Sequence, residues 1–322
     1  MFKGGVLRIV VLNNMLEWKQ NGGHQDASLP ATSLLICSRN RPQLLWETIQ
    51  SILRGDEVPT EMIVIDQSQT SNSILRNFQS GRKCEIRYIW SEKKGVSIGR
   101  NMAVSMATHP ILVFTDDDML VVPTWFGSII RTLLTIGSHG VVTGQVLSAE
   151  EDADGFAPSI REDHVSVTYR GRVNRDVLFT GNMAVYRSAF DHVGGFDSRL
   201  GPGTRYPAAE DNDFAFRLLE AGYSIVYDPR STVYHRLWRS HEQSLRLSWN
   251  YGCGQGAFYA KYFSLKDPYT IKRMARNVSG YLLRVPYRIW RQRAQAYRDM
   301  LYIGGLFYGA VRWRIMGGGK PA

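Results

Sequence analysis

Cysteine is scarce in this 322-residue chain: Cys37, Cys84 and Cys253 are the only three, an odd number with no CxxC pair. That excludes a disulfide framework and gives no zinc-site spacing, so the thiols read as reduced, buried and structural. Long apolar runs are missing as well. The opening MFKGGVLRIVVLNN is interrupted by Arg8 and followed by Asn13 and Asn14, and LYIGGLFYGAVRW near the end is too short to span a bilayer. No Walker A sequence, internal repeat or low-complexity block is found. Acidic residues are nearly absent from one region only: residues 271–322 hold eleven Lys or Arg against a single acid, Asp299. Residues 1–270 balance at 28 basic and 28 acidic, so the net charge of +10 belongs to the tail rather than to a general nucleic-acid-binding surface. A cytoplasmic globular protein with a basic appendage is expected.

What is present is an alternation of strand and helix patterns. SLLIC (33–37) has the length and composition of a buried strand and leads through Ser38–Arg41 to Pro42, suited to a first helical turn, with a helix to about Leu53. EMIVID (61–66), CEIRYIW (84–90) and ILVFT (111–115) repeat the strand pattern, with helices expected from about Ser71 and Ile98. This order predicts an α/β fold whose mostly parallel sheet is covered on both faces and binds ligands at the carboxyl ends of its strands. Further on, a helix to about Ile136, the strand VVTGQVL (141–147), a long polar segment 149–178, MAVY (183–186), a helix at Ser188–Val193, a helix at Ala208–Ala221 and the strand SIVYD are expected, with His235 just beyond that last strand. The polar segment reads as a substrate-facing excursion.

FTDDDML puts Asp116, Asp117 and Asp118 at one such strand end, an arrangement that needs a cation or a set of donors to offset the repulsion, or else a solvated turn. In AAEDNDFAFRLLEAG, Glu210, Asp211 and Asp213 open an amphipathic helix, either as helix-start charges or as a catalytic group. Two separate acidic sites suit a reaction in which one binds Mg²⁺ or Mn²⁺ and the other, with Asp211 the candidate, moves a proton. The turn SEKKGVSIGRNMAV offers Gly95, Gly99, a helix start and Arg100 to an anion, or serves as an ordinary connection. His235 is a possible third metal ligand or a plain hydrogen-bonding histidine.

The series ICSRNRP, VIDQSQT, GVSIGRNMA, FTDDDM, FTGNMAVYR, VGGFDSRLGPGTRYPAAEDNDFAFRLLEAGYSIVYDP and VYHR resembles the family 2 glycosyltransferases, inverting enzymes of the GT-A fold, over roughly residues 32–240. The resemblance implies a Rossmann-like GT-A domain at 31–240; residues 1–30, ending in the polar stretch NGGHQDASLP, read as a flexible leader, and residues 241–322 as a helical basic region. The resemblance also implies donor contacts at Arg39, Asp66, Arg100, Asp116 and Asp117, with Gly181 and Asn182 near the donor sugar. It further implies a Mn²⁺ or Mg²⁺ ion at Asp118 and, in some relatives, His235, and Asp211 as general base with Glu210 supporting it or acting instead. The donor would be a UDP-, GDP- or dTDP-sugar and the acceptor a glycan or polyprenyl-linked glycan of the cell envelope.

In the tail, Ile271, Ala275, Val278, Leu282, Val285 and Ile289 recur at helical spacing among Lys272, Arg273, Arg276, Arg284, Arg288 and Arg291, and Pro286 should split the helix. With Tyr281, Tyr287 and Trp290 this fits peripheral attachment to the anionic inner face of a cell membrane, or packing on the catalytic domain. The rival functions are a nucleotidyl or phosphoryl transferase, and a nucleic-acid-binding protein using the tail, although no nucleic-acid partner is expected.

Overall fold

The computed structural model describes residues 28–78, 84–149 and 159–316, so most of the expected leader lies outside it. Strands β1 (Thr32–Ser38), β2 (Glu61–Asp66) and β4 (Ile111–Asp116) are short, mostly apolar buried runs, as strands covered on both faces must be, while β3 (Glu85–Trp90) is a half-buried edge strand carrying Glu85 and Arg87. They pair in parallel in the order β3-β2-β1-β4, with Ser38 opposite Asp66 and Cys37 opposite Asp116. Four carboxyl ends therefore share one rim.

The sheet is mixed beyond β4. Strand β8 (Asn182–Tyr186) lies antiparallel between β4 and β6 (Gly140–Ser148), and β9 (Ser224–His235) follows in parallel with β6. Two three-residue strands, β5 (Met119–Val121) and β7 (Val167–Tyr169), pair antiparallel with β9. A bulge at Gly144/Gln145 skips β9 residues Pro229–Ser231, which lets one strand continue past a proline. This corrects the expectation that the last strand ends at Asp228: His235 is the final residue of β9, not a loop residue beyond it.

Alternate side chains of the central strands serve two cores. Leu34, Ile36 and Val113 pack with Leu45 and Ile49 of α1 (Pro42–Leu53) and with Trp125, Ile129 and Leu133 of the helix Trp125–Ile136. Leu35, Ile63 and Phe114 pack on the other face with Ala103, Phe190, Phe196, Phe214 and Leu218. The helix expected from Ser71 is a single turn, α2 (Ser73–Arg76), capped by Asn72. Helix α3 (Val96–Met106) follows β3, and in chain order the remaining helices are α4 (Trp125–Ile136), α5 (Arg187–Val193) and α6 (Glu210–Glu220).

After β9 the chain is helical: α7 (His241–Lys261), α8 (Tyr269–Leu282), α9 (Val285–Arg291) and α10 (Arg293–Ile315), with Pro286 in the first turn of α9 where its missing N–H costs nothing. Helix α7 opens on a Ser240/Gln243 capping box and lies along α10. Small residues set that contact. A Cβ on Gly256 would stand 1.9 Å from the Leu306 carbonyl oxygen, and one on Gly309 would stand 2.0 Å from that of Cys253. The two backbones touch where any side chain would separate them. Gly256→Ala should therefore destabilise the protein by about 1–3 kcal/mol, the usual cost of overpacking a close contact; an unchanged urea midpoint would contradict this packing.

Candidate functional site

The rim formed by the ends of β1, β2 and β4 opens into a cleft of about 890 Å³, within the size range of ligand sites. Arg39, Arg100, Asp116, Asp118, Glu210, Asp211 and His235 line it together. Residues more than a hundred positions apart are thus brought to one cavity by the parallel register and the return of α6 and β9.

At one end, the chain leaves β4 at Asp116 and turns into β5, which forces the next two aspartates in opposite directions. Asp117 is buried. Ser38 Oγ donates to its Oδ2 at 2.6 Å, Arg41 Nη2 lies 2.7 Å from Oδ1, and Thr48 Oγ1 donates to its main-chain carbonyl. Burial drives its pKa upward, against the pull of Arg41 and with the push of Asp118. The expected donor contact at Asp117 is corrected: its carboxylate anchors the β1 loop beneath the cleft and does not face it. Asp118 does face it. Its Oδ2 accepts from Arg41 Nη1 at 2.9 Å and Trp238 Nε1 at 2.8 Å, with Arg239 Nη2 at 3.5 Å. Burial alone would raise this carboxyl, but Arg41, His235, Arg239 and Trp238 together hold it below its ordinary value.

His235 Nε2 stands 3.8 Å from Asp118 Oδ1, and its Nδ1 is 3.2 Å from the Arg236 carbonyl. A carbonyl only accepts, so Nδ1 carries the proton and Nε2 presents a lone pair to an ionised carboxylate. Burial lowers the His235 pKa despite Asp118, which keeps the ring neutral. Two acceptors facing each other across less than twice a metal–ligand bond of about 2.1 Å suit a hard or borderline divalent cation. Among the described residues no cluster of three or more His, Cys, Asp or Glu forms a complete metal site, so such an ion would need oxygens from the substrate. The residues fit an ion shared with a ligand.

At the other end, one guanidinium holds three carboxylates. Arg100, with only 7% of its side chain exposed, places Nη2 2.9 Å from Asp116 Oδ1 and Nη1 3.1 Å from Glu210 Oε1 and 3.4 Å from Asp211 Oδ1. Asp211 also accepts from the Thr180 hydroxyl and, at 3.2 Å, from the Thr180 N–H. Burial, with Asp211 adding to it, raises the Glu210 pKa against Arg100. Burial likewise raises Asp211 against Arg100 and Thr180. Glu210, Asp211 and Asp213 all lie in the first turn of α6, where helix-start charges are expected, and the N-cap itself is Ala209 at φ 69°. Asp213 belongs to the fold: it pairs with Arg217 and Lys261 and accepts from Tyr262 Oη.

Four expectations change on this geometry. Arg100 was expected to offer two free donors to a phosphate, but carboxylates occupy both guanidinium ends. At the start of α3, where Gly95 and Val96 line the cleft, the first N–H is already taken, Val96 donating to the Pro202 carbonyl. Asp66 does not line the cleft: Ser68 N–H and Tyr88 Oη satisfy its two oxygens, and Ser68 Oγ in turn accepts from Asn40 N–H, fixing the β1 loop. Asn182 is consumed inside the sheet, donating to the Gln145 and Ser231 carbonyls and accepting from Trp125 Nε1, and does not reach the cleft. Gly181 is a spacer, where a Cβ would stand 2.6 Å from Asp116 Oδ2.

Arg41, Trp238 and Arg239 around Asp118, and Thr180 at Asp211, were missed from sequence, although Arg41 lies within ICSRNRP and Trp238 two positions after VYHR. Replacing Arg100 by Met should leave three like charges facing one another and cost about 3–5 kcal/mol of stability at pH 8. At pH 5 the loss should shrink, because these carboxyls then take up protons; chemical denaturation at both pH values measures it, and an equal loss at both would contradict the arrangement.

The family model described as Glycosyl transferase family 2 matches residues 33–195. The succinoglycan biosynthesis protein ExoM of Rhizobium meliloti is 24% identical over 221 residues, covering 66% of this chain and 68% of its own. The O-antigen chain rhamnosyltransferase WbaN of Salmonella anatum is 25% identical over 243 residues, covering 72% and 73%. Among solved structures, the mannosyltransferase PcManGT of Pyrobaculum calidifontis, in complex with GDP-Man and Mn²⁺, is similar over 94% of this chain and 95% of its own, with a TM-score of 0.59 at 16% identity. GalNAc-T7 with UDP, GalNAc and Mn²⁺ aligns with a TM-score of 0.52 over 76% of this chain and 53% of its own. The fold is that of the GT-A glycosyltransferases, and the chain belongs to glycosyl transferase family 2.

Proposed function

We propose that the protein transfers a sugar from a nucleoside-diphosphate sugar to an acceptor hydroxyl with inversion at the anomeric carbon, Asp211 being the general base. The observation that carries this is the placement of an Arg100-tied carboxylate pair of raised pKa in the same cleft as the Asp118–His235 acceptor pair. The new bond joins the acceptor oxygen to the anomeric carbon while the bond from that carbon to the phosphate oxygen breaks. Its electron pair leaves with the diphosphate, and the hydroxyl proton passes to Asp211. One in-line displacement inverts the configuration.

Asp211 is preferred to Glu210 because its side chain is 22% exposed against 10%, and because two hydrogen bonds from Thr180 orient it. Asp118 and His235 would hold Mn²⁺ or Mg²⁺, which supplies positive charge to the departing diphosphate. Without such an ion, Arg41 and Arg239 are already balanced by Asp117 and Asp118, so a diphosphate must bring its own cation. Arg39, exposed, also lines the cleft. Family membership favours glycosyl over phosphoryl transfer. The names of ExoM and WbaN support a growing cell-surface polysaccharide, including a polyprenyl-linked one, as the acceptor.

Calorimetry with UDP-, GDP- and dTDP-sugars should show one donor binding only with Mn²⁺ or Mg²⁺, and that binding should vanish in Asp118→Ala. Asp211→Asn should retain donor binding and lose about 10²–10⁴ in turnover, the range for a general base. In the wild type kcat/KM should fall as pH drops through a value above the ordinary carboxylate range, since the base must be ionised. Metal-independent binding, or a turnover limb near pH 4, would overturn the reading.

We also place the protein peripherally on the inner face of a cell membrane. Among the described residues no helix is long and apolar enough to cross a membrane. At the α8–α9 corner Leu283 is 81% and Trp290 71% exposed, beside Arg284 and Arg291, a pairing of apolar and cationic groups that suits an anionic surface at about 1 kcal/mol per basic residue. Leu283→Asp with Trp290→Asp should weaken sedimentation with phosphatidylglycerol vesicles at least tenfold; equal partition of both forms would sink the idea.

A further inference from the structure

Beyond Asp211 the cleft continues onto a wall that lies outside the matched residues 33–195 and is built by α7, α8 and α10. Tyr251 and Gln255 stand one turn apart on α7, Asn277 and Tyr281 one turn apart on α8, and Tyr302 comes from α10. Asn212, the residue after Asp211, donates to Gln255 Oε1 at 2.7 Å, which ties this wall to the start of α6. Tyr251 lies within electrostatic reach of Glu210 and Asp211, and burial pushes its hydroxyl up to about 12, so it stays protonated. The Tyr281 and Tyr302 rings stack at 4.5 Å.

One amide end on this wall is unused. Gln255 is 4% exposed and is held by Asn212 and by the Tyr259 hydroxyl. Asn277 hydrogen-bonds Tyr302 and leaves its buried Oδ1 without a partner. Buried polar groups left unpaired are costly, so a free acceptor at a cleft favours a ligand that donates to it. A pyranose ring meets these demands, with hydroxyls that donate and C–H faces for tyrosine rings.

We propose that this wall is the subsite for the acceptor's sugar ring, with Asn277 reading its hydroxyls and the Tyr281–Tyr302 pair packing against its face. It rests on the glycosyl-transfer reading, and it assigns acceptor selection to the C-terminal helices. The test is saturation-transfer NMR on the full chain with UDP, GDP and Mn²⁺ present, using methyl pyranosides of glucose, galactose, mannose and rhamnose as probes. At least one glycoside should receive saturation, and its signal relative to the nucleotide in the same tube should fall at least fivefold in Asn277→Ala and in Tyr281→Ala. Asn277 is half-buried at the cleft, so its variant reports even where the tyrosine variant fails to fold. A nucleotide signal with no glycoside signal, or a glycoside signal undiminished in the Asn277 variant, overturns the subsite alone. Absence of any nucleotide signal brings down the donor reading and the subsite with it.

Discussion

The contact of Arg100 with Asp116, Glu210 and Asp211 is the constraint on which the rest of the site depends. Arg100 comes from α3, Asp116 from the end of β4 and the other two from the first turn of α6, so one planar guanidinium sets the spacing of three elements. One positive charge cannot neutralise three negative ones. Burial, with the excess negative charge adding to it, pushes Glu210 and Asp211 upward, and the excess leaves negative potential where a sugar's anomeric carbon would gain positive charge. The Asp117–Asp118 end differs, because Arg41 and Arg239 balance its carboxylates. The cleft is therefore polarised along its length, with an under-neutralised acidic end and a charge-balanced end.

The parallel half of the sheet was legible because SLLIC, EMIVID and ILVFT are unbroken apolar runs of strand length, and because Phe214, Leu218 and Leu219 repeat at helical spacing. The order of strands beyond β4 was not, since antiparallel insertion of β8 leaves no mark in an apolar segment that pairs on both sides. Strand β5 was hidden by its three residues, and the second half of β9 by Pro229, whose bulge is visible only in register with Gly144. Of the site, Asp118, His235, Asp211 and Arg100 were recognised as a set. The direction of each side chain was not readable, so Asp66, Asp117 and Asn182 were expected in the cleft and instead lie behind it, each accepting a hydrogen bond from a residue distant in sequence.

The C-terminal helices show the same division. Charge segregation marked them as a separate feature, and Pro286 marked the break between α8 and α9. Their packing depends on glycines that meet the facing backbone, a signal that composition alone gives as flexibility. Because α7 is fixed against α10 in this way and joined to α6 through Asn212 and Gln255, the helices reach the cleft as a rigid wall.

The central claim is electrostatic, and carboxyl-detected ¹³C NMR on protein labelled at the Asp and Glu side chains tests it most directly. The account predicts that the Glu210–Asp211 pair titrates above the ordinary carboxylate range, its assignment checked by Glu210→Gln, and that Arg100→Met moves the pair higher still. Titration of both groups near 4, unchanged by removal of Arg100, would contradict it.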